Sequence, residues 1–386
     1  MIEKPKNKPL RLNFSSGPCS KRPGWELNDL NGALLGRSHR SKEGKEKLQQ
    51  AINKTILLLE IPQDYKVAIV PASDTGAIEM AMWNLLGSRP VEVLSWEVFG
   101  KAWKKDIQEQ LKIEGSVFHD VDYGLLPNLE KVNFENDVVF TWNGTTSGVR
   151  VPNGDWIPDK RNGLTICDAT SAIFAQDLDW DKLDATTFSW QKVLGGEAAH
   201  GMLILSPRAL GSLENYVPSW PVPKIFRLTK SQKIIEGVFK GETLNTPSML
   251  CLEDYLDVLK WAEDLGGFRG LMKKANNNAE IINDWVNRTS WIDFLCENPD
   301  FRSNTSVCLK FLEAKDKEED SLRNLAKDIG SLLANEEVAY DIVSHREAPP
   351  GLRIWTGATI EYEDVELLMP WLDWAYLTCL ENNKDL

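Results

Sequence analysis

Two residues of the 386-residue chain have the type and placement to do covalent chemistry: Asp168 in CDATS and Lys192 in SWQK. Asp168 closes a short apolar run, GLTICD. Lys192 follows another, ATTFSW, just ahead of Gly195 and Gly196. An aspartate at the C-terminal end of a strand in an open α/β sheet points into the crevice where such sheets bind ligands. A lysine on the turn after a further strand can face the same crevice, and its amine can join an aldehyde as a Schiff base when desolvation or nearby cations lower its pKa. An aspartate that keeps a ring nitrogen protonated and a lysine that holds an aldehyde are together what pyridoxal phosphate asks of a protein. On the pair alone, a capping aspartate and a surface lysine is the more ordinary reading, because lysines are seldom buried.

The elements that would position this pair are legible as alternation. Short apolar runs, YKVAIVP, VEVLS, DVVFTW, GLTICD, ATTFSW and GMLILS, recur with amphipathic stretches between them, the pattern of an α/β domain with a mostly parallel sheet. DTGAIEMAMWNLL predicts a helix from Asp74 to Leu86, with Asp74 or Thr75 as N-cap. The N-terminus of such a helix is a natural anion site. After Pro247 two long helical patterns, SMLCLEDYLDVLKWAEDL and FRGLMKKANNNAEIINDWVN, precede an α+β tail. In that tail SVCLKFL and LRIWTG alternate with DSLRNLAKDIGSLLAN and DVELLMPWLDWAYLTCL. EAKDKEED at 313–320 reads as a solvated loop and helix start.

Composition narrows the function classes. With 42% hydrophobic and 26% charged residues the chain reads as soluble and globular. No apolar run approaches the roughly 20 residues of a membrane span and no signal core follows the N-terminus, so a cytoplasmic location is expected. A net charge of −13 argues against general nucleic-acid binding. Any anionic ligand must then meet a locally positive pocket. The six cysteines show no metal-ligand spacing and are expected to be reduced and packed as small hydrophobes. Most of the fifteen tryptophans, among them Trp261, Trp285, Trp371 and Trp374, read as packing residues. His119 and His200 are given no catalytic role.

Seven short motifs in order, FSSGP (14–18), SHR (38–40), NGTTSG (143–148), CDATS (167–171), SWQK (189–192), LNTPS (244–248) and SHR with GLR (344–346, 351–353), resemble the phosphoserine aminotransferase family. That family lies in the class V branch of the fold-type I pyridoxal-phosphate enzymes, and the resemblance runs from Phe14 to about Gly357. It implies a large cofactor domain over 14–262 with a mostly parallel seven-stranded sheet, and a small α+β domain from 1–13 and 263–386. It implies homodimers with shared active sites and pyridoxal 5'-phosphate as cofactor. The implied reaction is reversible amino transfer between glutamate and 3-phosphohydroxypyruvate, giving phosphoserine and 2-oxoglutarate in serine biosynthesis. Phosphohydroxythreonine, of pyridoxine biosynthesis, is a possible second substrate.

Residue by residue, the resemblance makes Lys192 the Schiff-base lysine and Asp168 the partner of the ring nitrogen. Asp74, Thr75 and Gly76 fall at the family's phosphate turn, Thr145 and Gln191 at cofactor contacts, and Asn245 and Thr246 at contacts to the neighbouring subunit's cofactor phosphate. Arg353 is similar to the arginine that grips the α-carboxylate. His345 and Arg346, with His39 and Arg40 of the partner chain, resemble the clamp for a side-chain phosphate or carboxylate. The chain departs from the family in two places. Ser73-Asp74-Thr75 stands where other members have a glycine-rich turn with an arginine, so phosphate binding there must rest on backbone and hydroxyl donors. SWEVFGKAW offers Phe99 as the ring that stacks on the cofactor, with Trp96 and Trp103 as alternatives.

Three rival readings stay open on sequence. An alanine-glyoxylate type transaminase would not need the double His-Arg clamp. A cysteine desulfurase needs a mobile cysteine, whereas Cys308 sits in a strand-like run. A non-catalytic fold relative would have no use for Asp168, Lys192 and Arg353 together.

Overall fold

The structure, a computed structural model, describes residues 3–312 and 318–382. Its strands are β1 (Lys66–Pro71), β2 (Val91–Ser95), β3 (Val117–Asp120), β4 (Asp137–Thr141), the ribbon pair β5 (Asn143–Gly144) and β6 (Val149–Arg150), β7 (Thr165–Asp168), β8 (Ala185–Ser189) and β9 (His200–Leu205). A second ribbon, β10 (Thr229–Lys230) and β11 (Lys233–Ile234), precedes β12 (Ile292–Phe294), β13 (Ser306–Phe311) and β14 (Gly351–Trp355). The helices are α1 (Lys42–Leu58), α2 (Ser73–Leu85), α3 (Val98–Lys105), α4 (Pro207–Asn215), α5 (Met249–Asp264), α6 (Gly267–Asn287), α7 (Glu319–Asn335) and α8 (Tyr362–Asn382).

The main sheet has seven strands in the order β1-β9-β8-β7-β4-β2-β3. Only β9 runs antiparallel to its neighbours. The runs β2, β4, β7, β8 and β9 are buried along their whole length, as expected of strands covered on both faces. One hydrophobic cluster carries Ile69, Phe140, Cys167, Phe188 and Met202; the other carries Val70, Val139, Ile166 and Leu203. Adjacent residues of one strand thus face opposite layers, which is the period-two geometry of a pleated strand. The edge strand β3 was not expected from the sequence, because its VFHD is only half-covered and lacks a continuous apolar run.

Helix α2 corrects one local expectation. It begins at Ser73, and the N-cap position is Ala72 in the left-handed region with no side-chain cap, not Asp74 or Thr75. The chain leaves β1 through positive φ at Ala72 and Ser73, and Asp74 is turned inward instead of capping. A Cβ on Gly76 would lie 2.2 Å from the Pro71 carbonyl oxygen, so only glycine lets this first turn rest on the end of β1.

In the C-terminal part, the antiparallel sheet β12-β13-β14 packs with α6, α7 and α8. The N-terminal residues join it: the Leu10 N–H donates to Asp364, Trp371 donates to the Asn7 carbonyl, and Asn13 pairs with Tyr340. The boundary expected at 262/263 falls in the last turn of α5. The helix start expected near 319 is α7, while residues 313–317 of the same stretch lie outside the described residues. All six cysteines are unpaired and, apart from half-buried Cys251, buried. Among the described residues no helix is long and apolar enough to cross a membrane, and no group of three His, Cys, Asp or Glu side chains is placed to hold a metal.

Candidate active site

A cavity of about 290 Å³ opens at the C-terminal ends of β4, β7 and β8 and the N-terminus of α2. Asp74, Thr75, Phe99, Thr145, Asp168, Gln191 and Lys192 all line it, so seven of the expected residues meet around one space although they span more than 110 positions of sequence. Parallel strands deliver their C-terminal residues to one edge, which is why Thr141, Asp168 and the turn after Ser189 converge.

Lys192 is 8% exposed, and its ammonium donates to the Ser16 carbonyl. Burial pushes its pKa below the ordinary lysine value, and Arg353 adds to that against the opposing pull of Cys19, Asp168 and Glu97. A larger neutral fraction makes it a better nucleophile toward an aldehyde. Gly17 lies directly against it: a Cβ there would come within 2.4 Å of Nζ, and φ is +145°. FSSGP therefore forms one wall of the lysine's channel.

Asp168 is held by two donors. Its Oδ1 accepts from the Thr170 N–H at 3.0 Å and its Oδ2 from the Trp103 indole N–H at 3.2 Å. Asp74 is buried in the same cavity; burial, and then the neighbouring Asp168, raise its carboxyl pKa well above the ordinary range. Two carboxylates this close do not both ionise readily. Asp74 in its neutral form is compatible with a nearby phosphate despite its acidic type.

The Phe99 ring is 38% exposed and faces the cavity. Trp96 is fully buried and donates to the Val149 carbonyl, so it is not available for stacking, and Trp103 is spent on Asp168. Gly76 does not line the cavity, and its N–H donates to Ala72 O, so its part is to let α2 approach β1. Arg353, on β14, borders an adjoining cleft of about 780 Å³ that shares Gly17 and Pro18 with the cavity; its guanidinium Nε is buried without a protein partner. His345 is half-buried, its pKa lowered by burial and then by Arg353, while Arg346 is exposed beside Glu347. His39, Arg40, Asn245 and Thr246 lie on loops before α1 and α5 and do not line the cavity of their own chain.

Two cavity atoms test the match to pyridoxal phosphate. Thr141 Oγ1 and Gln191 Oε1 are buried with no protein partner. Such orphans are costly unless a polar ligand satisfies them, and a substituted pyridine with a hydroxyl and a phosphate offers both donors and acceptors. Sequence reasoning missed Glu97 and Thr170, and offered Trp103 only as an alternative stacking ring, not as the donor to Asp168. Nothing in a single sequence marks Glu97, but Trp103 stands four residues after Phe99, the spacing that puts both rings on one helix face. His200 accepts from the Ser248 N–H and is a packing residue.

No family model matches the chain. A phosphoserine aminotransferase of Methanosarcina mazei is 58% identical over 373 residues, 97% of this chain and 99% of that protein. One from Methanosarcina barkeri is 56% identical with the same coverage. Among solved structures, a phosphoserine aminotransferase from Cytophaga hutchinsonii superposes with a TM-score of 0.80 at 22% identity, over 94% of this chain and 98% of the other. The pyridoxal-phosphate-bound enzyme from Trichomonas vaginalis gives 0.75 at 16% identity, over 94% and 100%.

Proposed function

The chain belongs to the phosphoserine aminotransferase family, and from that premise we propose how its residues divide the work of pyridoxal-phosphate-dependent amino transfer. The observation that carries the assignment is the convergence of a buried lysine with lowered pKa and a doubly hydrogen-bonded aspartate on one cavity. When bound, pyridoxal phosphate supplies an electron sink for the negative charge that develops on the substrate α-carbon. Asp168 holds a proton at the ring nitrogen. The Lys192 amine would hold the cofactor and, when free, would carry the proton removed from the substrate α-carbon. Phe99 covers one ring face. Backbone N–H groups at the start of α2 receive the phosphate with Thr75, while Thr145 and Gln191 orient the ring substituents.

Arg353 takes the α-carboxylate, where its planar fork fits two oxygens. His345 and Arg346 take the distal phosphate or carboxylate, completed by His39 and Arg40 of a second copy; Asn245 and Thr246 reach the second copy's cofactor phosphate. This clamp has little means to refuse one extra carbon, so phosphohydroxythreonine is a candidate second donor. An assay of phosphoserine, phosphohydroxythreonine and alanine with 2-oxoglutarate tests the reading. Alanine as the preferred donor would overturn the clamp assignment.

The clamp divides into parts that substitution separates. Arg346→Ala is expected to lower kcat/KM for phosphoserine far more than for alanine, because only the distal charge loses its partner. Arg353→Ala is expected to penalise both donors alike. Equal losses of the two donors in Arg346→Ala would show that this arginine does not set specificity.

The shared site has its own test. Lys192→Ala and Arg40→Ala homodimers are each expected to be severely impaired. In a mixed dimer one site carries both defects and the other none, so co-refolding is expected to restore up to roughly a quarter of wild-type activity under random pairing. No recovery, with subunit exchange verified by native mass measurement, would mean that Arg40 serves its own chain's site.

A further inference from the structure

We propose that α3 is a strut, pinned at its start by Glu97 and about one and a half turns on by Trp103, that fixes the ring-covering Phe99 relative to Asp168; Glu97 and Trp103 are positioning residues. The inference rests on the reading of Asp168 and Lys192 given above. It starts from the fact that α3, which runs on through a π-helical stretch at Asp106–Leu111, supplies with its N-cap three side chains to the cavity: Glu97, Phe99 and Trp103.

The N-terminal end is held by Glu97, which is fully buried. Its Oε1 accepts from the Phe99 N–H at 2.8 Å and the Gly100 N–H at 3.0 Å, capping the helix. Its Oε2 accepts from the Thr146 hydroxyl at 2.8 Å and the Thr146 N–H at 3.3 Å. The Thr146 hydroxyl accepts in turn from the Val98 N–H at 3.3 Å. One carboxylate thus joins the start of α3 to the NGTTSG turn that carries Thr145. Burial pushes the Glu97 carboxyl up to about 7, and the four donors oppose that by favouring the ionised form. A glutamine in its place must turn its NH2 group toward either the helix donors or the Thr146 donors, so one of the two links is lost.

Trp103 is the second pin. Its indole N–H reaches Asp168 Oδ2 at 3.2 Å from a ring only 4% exposed. Between the two pins the helix lies close on β2, since a Cβ on Gly100 would come within 3.2 Å of Ser95 Cα. The helix has no room to slide, and Phe99, four residues before Trp103, sits on the same face. The face that covers the ring and the bond that steadies the ring-nitrogen partner therefore move together.

The test measures pyridoxal phosphate binding to the cofactor-free protein, together with the visible circular dichroism of the bound cofactor, which reports ring orientation and which a merely structural role would leave unchanged. Trp103→Phe keeps an aromatic ring and removes the N–H, and Glu97→Gln breaks one link at the other pin. Each is expected to raise the dissociation constant roughly tenfold and to alter the visible band, with far-ultraviolet dichroism unchanged. Thr146→Val, which leaves the aromatic core intact, is expected to act in the same direction and serves if Trp103→Phe does not fold. Wild-type affinity and an unaltered visible band in Glu97→Gln and Thr146→Val would overturn the strut. Borohydride reduction of the same samples separates the two levels: label on Lys192 with unchanged binding overturns the strut alone, whereas label on another lysine overturns the site reading beneath it.

Discussion

Lys192→Ala is expected to lower turnover by roughly 10⁴-fold and to abolish the borohydride-reducible link to the cofactor. Lys192 is the only lysine that lines the cavity, so among the described residues no neighbour is placed to replace it. The loss would not reflect misfolding. Burial and Arg353 lower the lysine's pKa in the folded protein, so the native state disfavours its charge. That destabilising contribution is full below the lowered folded pKa and vanishes as pH rises through it toward the unfolded value near 10.4. The cofactor-free Lys192→Ala protein is therefore expected to melt no lower than wild type at neutral pH, with any advantage shrinking as the solution becomes alkaline. A variant that retains turnover with well-behaved melting would show that another amine carries the proton.

Asp168→Ala is expected to separate binding from chemistry. The proposed phosphate donors at the start of α2 are untouched, so cofactor is expected still to bind at raised concentration. Turnover falls by about 10²- to 10³-fold, because a preorganised charge opposite the ring nitrogen is gone. The substitution also strips the acceptor from the Trp103 and Thr170 N–H groups. Unchanged turnover at saturating cofactor would remove Asp168 from the mechanism.

The sequence announced Asp168 and Lys192 because strand ends in a parallel sheet are places where a polar residue breaks an apolar run, and both runs fold as β7 and β8. The helix DTGAIEMAMWNLL was legible within one residue, but its entry through left-handed Ala72 and Ser73 was not, since neither type favours positive φ and the turn is held by distant contacts such as the Ser73 N–H on the Ala199 carbonyl. The β3 edge was hidden for lack of burial. Glu97 was hidden for the opposite reason: its meaning lies in Thr146, 49 positions away, and no local pattern reports that pairing. Phe99 could be told from Trp96 and Trp103 only in three dimensions: the Trp96 indole is buried against the Val149 carbonyl, the Trp103 indole lines the cavity but is bonded to Asp168, and the Phe99 ring faces the cavity without such a bond. His39, Arg40, Asn245 and Thr246 were assigned by family pattern alone, and they lie on loops away from the cavity of their own chain.

The central claim is that Lys192, opposite Asp168, is the amine that carries the cofactor. Borohydride reduction of the wild-type protein saturated with pyridoxal phosphate, followed by peptide mass mapping, tests it most directly. The account predicts the reduced cofactor on the peptide containing Lys192, at one per chain. Label on any other lysine, with Lys192 recovered unmodified, would contradict it.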